Sequence, residues 1–458
     1  MTLDPTDIQG FILRGYTFPV ARFFFLELSR EQSARALIGR LIPDITTGER
    51  WDKKPISTLN IAFTYQGLAQ LEVPEASLQS FPVEFVQGMK ARASILCDTG
   101  KSAPENWDPL WHGGRVHAWL SVYAQSPAVL ESRCSQLQAS LTDTGAGRVV
   151  GTQDAAALAA DGRIRTKEHF GYTDGFGNPD YLGVDRNAQP GQGKLMADGS
   201  WAPLATGELL LGYPDEAGEL PVAPVPHQLA NNGTFMVYRK LHQNVATFRR
   251  YLREKGSEYR GGEEKLAAKL VGRWRDGTPL ELSPDHPDPG IVDDDSRNVN
   301  FRFGYDLAGT RCPIGAHIRR AHPRDAFGFH GRLVDRRRIS RRGLPYGSSS
   351  PDGPGEDTGE HGIVFMALNA SIFRQFEFVQ QQWMQYGNDA HQGNDRDPLL
   401  GNHQPQEKFV VQGTEDPTNP PFICGGLPNF VEMRGGEYFF VPSITALELM
   451  AAGAIDPR

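Results

Sequence analysis

Apolar and polar positions sort into short strand-like runs separated by helical faces. Arg22-Phe-Phe-Phe-Leu-Glu-Leu28 is a nearly unbroken apolar run and predicts a buried strand. Ser29-x-x-Gln32 then has the form of a capping box, opening a helix with Ala34, Leu37, Ile38 and Leu41 on one face. Thr58 to Tyr65 predicts a second strand. Arg115 to Tyr123 alternates, with Val116, Ala118, Leu120 and Val122 inward against His117, Trp119 and Ser121, the period-two pattern of a half-buried strand. Ser126-Pro127 sets a cap residue before a first-turn proline, and Leu130, Cys134, Leu137 and Leu141 follow at helical spacing. With Arg148-Val-Val-Gly as a further strand, the order is β-α-β-β-α-β, the ferredoxin-like arrangement.

The second half repeats that order. Thr234-Phe-Met-Val-Tyr238 predicts a strand, Val245 to Leu252 a helix, and Gly362-Ile-Val-Phe-Met-Ala-Leu368 a buried strand. Ile372, Phe376, Val379 and Trp383 then mark one face of a helix, Glu437-Tyr-Phe-Phe-Val441 a last strand, and Thr445 to Met450 a closing helix. The segments Gln189-Pro-Gly-Gln-Gly and Pro221-Val-Ala-Pro-Val-Pro226 are poor candidates for core elements and contain the boundary. The expectation is an α+β chain of two ferredoxin-like domains with antiparallel sheets, residues 1–225 and 226–458. Ser348 to Glu360 reads as a loop.

Composition changes this picture little. At 458 residues, 39% apolar and 22% charged, the chain is an ordinary globular one with room for more than one core. No export signal or membrane-spanning run is visible, so the expected location is cytosolic. Cysteines 97, 134, 312 and 424 lack the short paired spacing of a zinc site or disulfide framework.

Charge changes it more. Arg311 to Arg342 contains ten arginines against Asp325 and Asp335, a local +8 within a chain of net charge −8. Such an island seeks an anionic partner. A nucleic-acid surface is disfavoured, because the rest of the chain is acidic and no aromatic-basic interleaving accompanies the island. His317, in Cys312-Pro-Ile-Gly-Ala-His317-Ile-Arg319-Arg320, sits among small and apolar residues with cations following. That pattern suits a neutral imidazole ligating a metal while arginines hold an anionic cofactor's periphery. Gly171-Tyr-Thr-Asp174-Gly175-Phe-Gly-Asn-Pro179 places one acid in a tight, glycine-permitted bend. On that segment alone, an Asx-turn former is the plainer reading of Asp174.

Taken in order, four motifs resemble those of the dye-decolorizing peroxidases. They are Gly171-x-x-Asp174-Gly175, Ala316-His317-Ile318-Arg319, Arg341-Arg342-Gly343-x-x-Tyr346-Gly347 and Gly362-Ile-Val-Phe365. Further likeness lies in Asp7-Ile-Gln-Gly10, Asn60-Ile-Ala-Phe-Thr64, Ser371-Ile-Phe-Arg-Gln-Phe-Glu-Phe378 and Arg434-Gly-Gly-Glu-Tyr-Phe-Phe440, so the match runs nearly end to end. The chain looks most like the longer subgroup, in which a glycine follows the arginine pair. The resemblance implies two ferredoxin-like domains with haem b (iron protoporphyrin IX) in the C-terminal one. It also implies reduction of hydrogen peroxide and oxidation of dyes, phenols or other aromatic donors through a ferryl intermediate.

By the same resemblance His317 is the iron ligand, Asp174 the proton shuttle and Arg341 the group that polarises the departing oxygen. Ile363 and Phe365 match the apolar pair over the distal face. Arg319 and neighbouring basic residues are candidates for the propionates, and Asp397 for a hydrogen bond to the other nitrogen of His317. Tyr346, then Trp383, are the candidates for surface electron transfer to bulky donors. The competing class is a haem carrier, sensor or iron-release protein without turnover, which has no need of Asp174 and Arg341. The sequence leaves the reductant open, and it leaves open whether the chain forms a homo-oligomer.

Overall fold

Nine antiparallel strands form the main sheet of the computed structural model, which describes residues 3–158, 167–184, 188–328, 331–349, 357–414 and 418–457. β1 (Val20–Leu28), β2 (Ser57–Phe63), β3 (Ala118–Ala124) and β4 (Gly147–Ala156) come from the first half of the chain. β5 (Thr234–Gln243), β6 (Ser340–Arg341), β7 (Leu344–Gly347), β8 (His361–Asn369) and β9 (Val431–Val441) come from the second. Their order is β4-β1-β3-β2-β9-β5-β8-β6, with β7 also paired to β8. With β6 and β7, both paired to β8, counted together as one strand, each half shows the same sequence of neighbours, fourth strand, first, third, second. This is the antiparallel ferredoxin-like arrangement expected from the element order. The whole sheet twists until β4 at one end lies beside β7 near the other.

Inside the curl lie rings from both halves. Phe23 stacks on Trp119 at 5.7 Å, and Phe25 meets Tyr238 edge-on at 5.2 Å, all four essentially inaccessible. Burying a side chain of this size contributes about 1.5–3 kcal/mol, so the shared aromatic filling holds the halves as one core. The seam between them is thin, because β2 and β9 pair only at Phe63 and Phe440. Gln9 supplements it. Its Nε2 donates to the carbonyls of Ile61 and Pro442 at 2.8 and 2.9 Å, and its Oε1 accepts the Ile61 amide at 3.0 Å.

Several sequence expectations need correction. The helix Glu31–Leu41 follows Arg30 without a side-chain cap, because the Ser29 hydroxyl donates instead to the Gly145 carbonyl at 2.7 Å. β3 is buried at every position, not on one face, because protein covers both of its sides. The spacing of Ile372, Phe376, Val379 and Trp383 does bury all four, but on the wider turns of the π-helical stretches Ile372–Glu377 and Val379–Gln385. Ser126 caps Pro127–Thr144 as expected, accepting the Val129 amide at 3.4 Å. Helices Val245–Glu258 and Ile444–Ala452 also form. The middle of the expected loop Ser348 to Glu360, residues 350–356, lies outside the described residues. Among the described residues no helix is long and apolar enough to cross a membrane.

Candidate active site

His317 opens the short helix His317–Ala321, above a small core of Trp274, Phe301, Phe303, Cys312 and Ala316. Its Nδ1 lies 3.0 and 3.1 Å from the two carboxylate oxygens of Asp397, so Nδ1 carries the proton and Nε2 keeps a lone pair. Asp397 is fully buried, and its Oδ1 also accepts the amides of Leu399 and Leu400 at 2.9 and 2.7 Å. Burial disfavours the charge on His317. Asp397 outweighs it and holds the imidazole pKa above its ordinary value, and the same pairing holds Asp397 below its own. Arg320 locks the loop that brings Asp397 into place, donating to the carbonyls of Trp383, Tyr386 and Asp395.

The loop from Gly171 to Pro179 carries Asp174. Gly175 and Gly177 stand at φ +95° and +76°, a left-handed backbone that side chains resist, and so the loop turns tightly enough to aim the carboxylate inward. Arg341 comes from β6, at the far end of the sheet order. Its Nη1 donates to Asp174 Oδ1 at 3.2 Å and its Nη2 to the Phe176 carbonyl at 2.6 Å. Their side chains are 46% and 38% accessible, yet loss of water is the largest influence on the ionisation of Asp174. Both side chains thus keep some accessible surface although protein crowds the carboxylate. Burial pushes the Asp174 pKa up, but the Arg341 charge and the Gly175 amide outweigh it and hold the carboxyl below its ordinary range.

His317 has the same signature, 25% accessible with desolvation foremost, and its charge and those of Asp174 and Arg341 are mutually felt. No described residue bonds to its Nε2. Ile363 and Phe365 are the two partly accessible positions on the otherwise buried β8. His322, Arg324 and Arg338 form a desolvated basic wall. Burial and the neighbouring guanidinium groups disfavour charge at His322 and Arg324; at Arg338 burial lowers the pKa against the attraction of Asp335, and Arg341 repels it. Among the described residues no carboxylate lies within ion-pair distance of Arg324 or Arg338.

Three expected residues do not take the places the sequence suggests. Arg319 is committed within the protein: it donates to the Asp306 carboxylate and the Cys312 carbonyl, stacks 4.7 Å from Phe303 and is 4% accessible. Tyr346 and Trp383 are not surface groups. Tyr346 is 3% accessible with its hydroxyl unpartnered, and Trp383 is 4% accessible, packed edge-on to Phe327 and Phe378. Both rings are packed because the strand and helix that carry them are covered. The arginine island as a whole is dispersed, with Arg319, Arg320, Arg338 and Arg342 all buried. Arg320, Asn178 and the basic wall carry contacts that residue type alone did not reveal, because most of their partners are backbone atoms.

The family model for a DyP dimeric alpha+beta barrel domain matches residues 7–155. A dye-decolorizing peroxidase of Mycetinis scorodonius is 30% identical over 97% of this chain and 87% of its own length. The chain belongs to the dye-decolorizing peroxidase family. A multifunctional dye peroxidase of an Amycolatopsis species is 34% identical over 85% of this chain and 81% of its own. Among solved structures, an ancestral D-type dye-decolorizing peroxidase superposes with a TM-score of 0.85 at 30% identity, covering 98% of this chain and 99% of that one. A dye-decolorizing peroxidase in complex with 2,6-dimethoxyphenol superposes with a TM-score of 0.83 at 27% identity, covering 98% and 100%.

Proposed function

We propose that the protein is a haem peroxidase that reduces hydrogen peroxide and oxidises phenols, dyes or related aromatic donors. One observation carries the reading: an imidazole anchored through Nδ1 by Asp397, its Nε2 unengaged by any described residue, lies within electrostatic reach of the Asp174–Arg341 pair. The relatives' names and the 2,6-dimethoxyphenol complex of one of them support it. The residues fit haem b chemically. His317 Nε2 would hold the iron, Asp397 would strengthen that donor, and the desolvated Arg324 and Arg338, with no carboxylate within ion-pair distance among the described residues, would suit the propionates.

When bound, haem supplies the iron redox chemistry that cleaves the peroxide O–O bond and draws single electrons from donors. The chain supplies the proton handling. Asp174, held ionised by Arg341, takes the proton from the near oxygen of the incoming peroxide and passes it to the far one. Arg341 stabilises the negative charge that develops on the departing oxygen. Ile363 and Phe365 exclude larger molecules from that space. A carrier has no need of this pair. Four unpaired cysteines suit a cytosolic location.

Asp174→Asn is expected to retain the cofactor spectrum but slow the reaction with peroxide by about 10²–10⁴-fold in stopped-flow measurements. His317→Ala is expected to lose axial ligation. An Asp174→Asn protein reacting at the parental rate would remove the proposed mechanism.

A further inference from the structure

We infer that Asn178 is a positioning residue for the distal pair: its side-chain amide stands in for a missing strand and holds the Arg341 backbone in register with the Asp174 loop. β6 is only two residues long and ends the strand order, paired to β8 at Leu368 with Ser340 and Ala367 with Arg341. The Arg342 amide donates to the Met366 carbonyl at 3.0 Å. In an antiparallel ladder the bonding direction alternates, so the N–H and C=O of Arg341 itself face away from β8, toward the open edge. A strand at that edge would offer one acceptor and one donor. Asn178 offers both: its Oδ1 accepts the Arg341 N–H at 2.9 Å, and its Nδ2 donates to the Arg341 C=O at 3.4 Å.

The consequence for the site follows from where Asn178 lies. It is four residues after Asp174 on the same loop, with the Phe176 carbonyl between them also bound to Arg341. The loop therefore grips Arg341 twice, by the guanidinium and by the peptide. A ligand that displaces the first grip leaves the second in place. Pro179 follows directly and biases Asn178 toward an extended backbone, which limits the directions its amide can take. Neither Asp, lacking a donor, nor Leu, lacking both groups, could do the same at this position.

This inference rests on the reading that Asp174 and Arg341 act on peroxide, and the test separates the two. Asn178→Ala, Arg341→Leu and the double variant are compared by stopped-flow reaction of the haem-loaded proteins with hydrogen peroxide. Hydrogen exchange at the Arg341 amide is followed separately in the cofactor-free proteins. Asn178→Ala is expected to slow the peroxide reaction by about tenfold and to speed exchange at Arg341 by at least a similar factor, the loss of one net hydrogen bond. On the Arg341→Leu background the same change should slow the reaction by less than about twofold, because a residue acting through Arg341 has nothing left to position. Should the alanine variant fold poorly, Asn178→Ser removes the amide while keeping a small polar side chain.

Unchanged exchange at Arg341 overturns the inference. So does an unchanged peroxide rate in Asn178→Ala when Arg341→Leu is slow, and so does an equal loss on both backgrounds, which marks a scaffold residue. If Arg341→Leu alone reacts at the parental rate, the functional reading falls instead, and the exchange data still decide whether the clasp exists.

Discussion

The ionisation of Asp174 is governed by its surroundings. Burial acting alone would raise the Asp174 pKa, and the neighbouring guanidinium turns the balance downward. The carboxylate therefore stays ionised, able to accept a proton, below the ordinary value of about 3.9, and loses that ability only as pH falls through its depressed pKa. Arg341→Leu removes the lowering influence and leaves burial to dominate. The acid limb of the peroxide reaction should then move to higher pH, a shift that a pH profile of the stopped-flow rate reads directly. An unmoved limb would mean that some other group titrates. The pairings of Asp174 with Arg341 and of His317 with Asp397 were legible as candidates because Asp174, His317 and Arg341 each sit in a motif whose neighbours are also constrained. Arg319 was misplaced because nothing local tells an arginine aimed at a cofactor from one aimed at Asp306, thirteen residues earlier.

At the scale of elements, the loop that carries Asp397 to His317 depends on a guanidinium with no carboxylate within ion-pair distance among the described residues. Arg320 bonds three carbonyls that otherwise have no donor from the loop around Asp397. Arg320→Met keeps much of the length and removes every donor, so it should cost about 3 kcal/mol or more in chemical denaturation. A loss below about 1 kcal/mol would show that water replaces the staple. Elements were legible where burial is one-sided and helices carry their own caps, as at Ser126. They were less so where tertiary partners intervene. Ser29 gives its hydroxyl to Gly145 and not to its own helix, and Trp119 reads as an outward residue although it stacks on Phe23 inside the curl. The four-three-four spacing from Ile372 to Trp383 marked a buried face but could not tell a π-helix from an α-helix.

For the molecule as a whole, the critical place is the seam where β2 meets β9. Gln9 has no accessible surface, and Gln9→Ala leaves the Ile61 amide and two carbonyls short of a partner. The expected cost is about 2–3 kcal/mol. Because rings from both halves share one interior, the loss should appear as a lower midpoint of a single unfolding transition followed by tryptophan fluorescence, and two separated transitions would contradict the shared core. The doubled ferredoxin-like order was legible from the alternation of strands and helices. The curl that brings β4 to β7 was not, since it depends on which edges meet. β9 is the last main-sheet strand to leave the ribosome, yet its place is in the middle, between β2 and β5. A product truncated before Val431 would have two bare inner edges instead of one continuous sheet, open to aggregation, so quality control could recognise an incomplete copy by the gap at its centre.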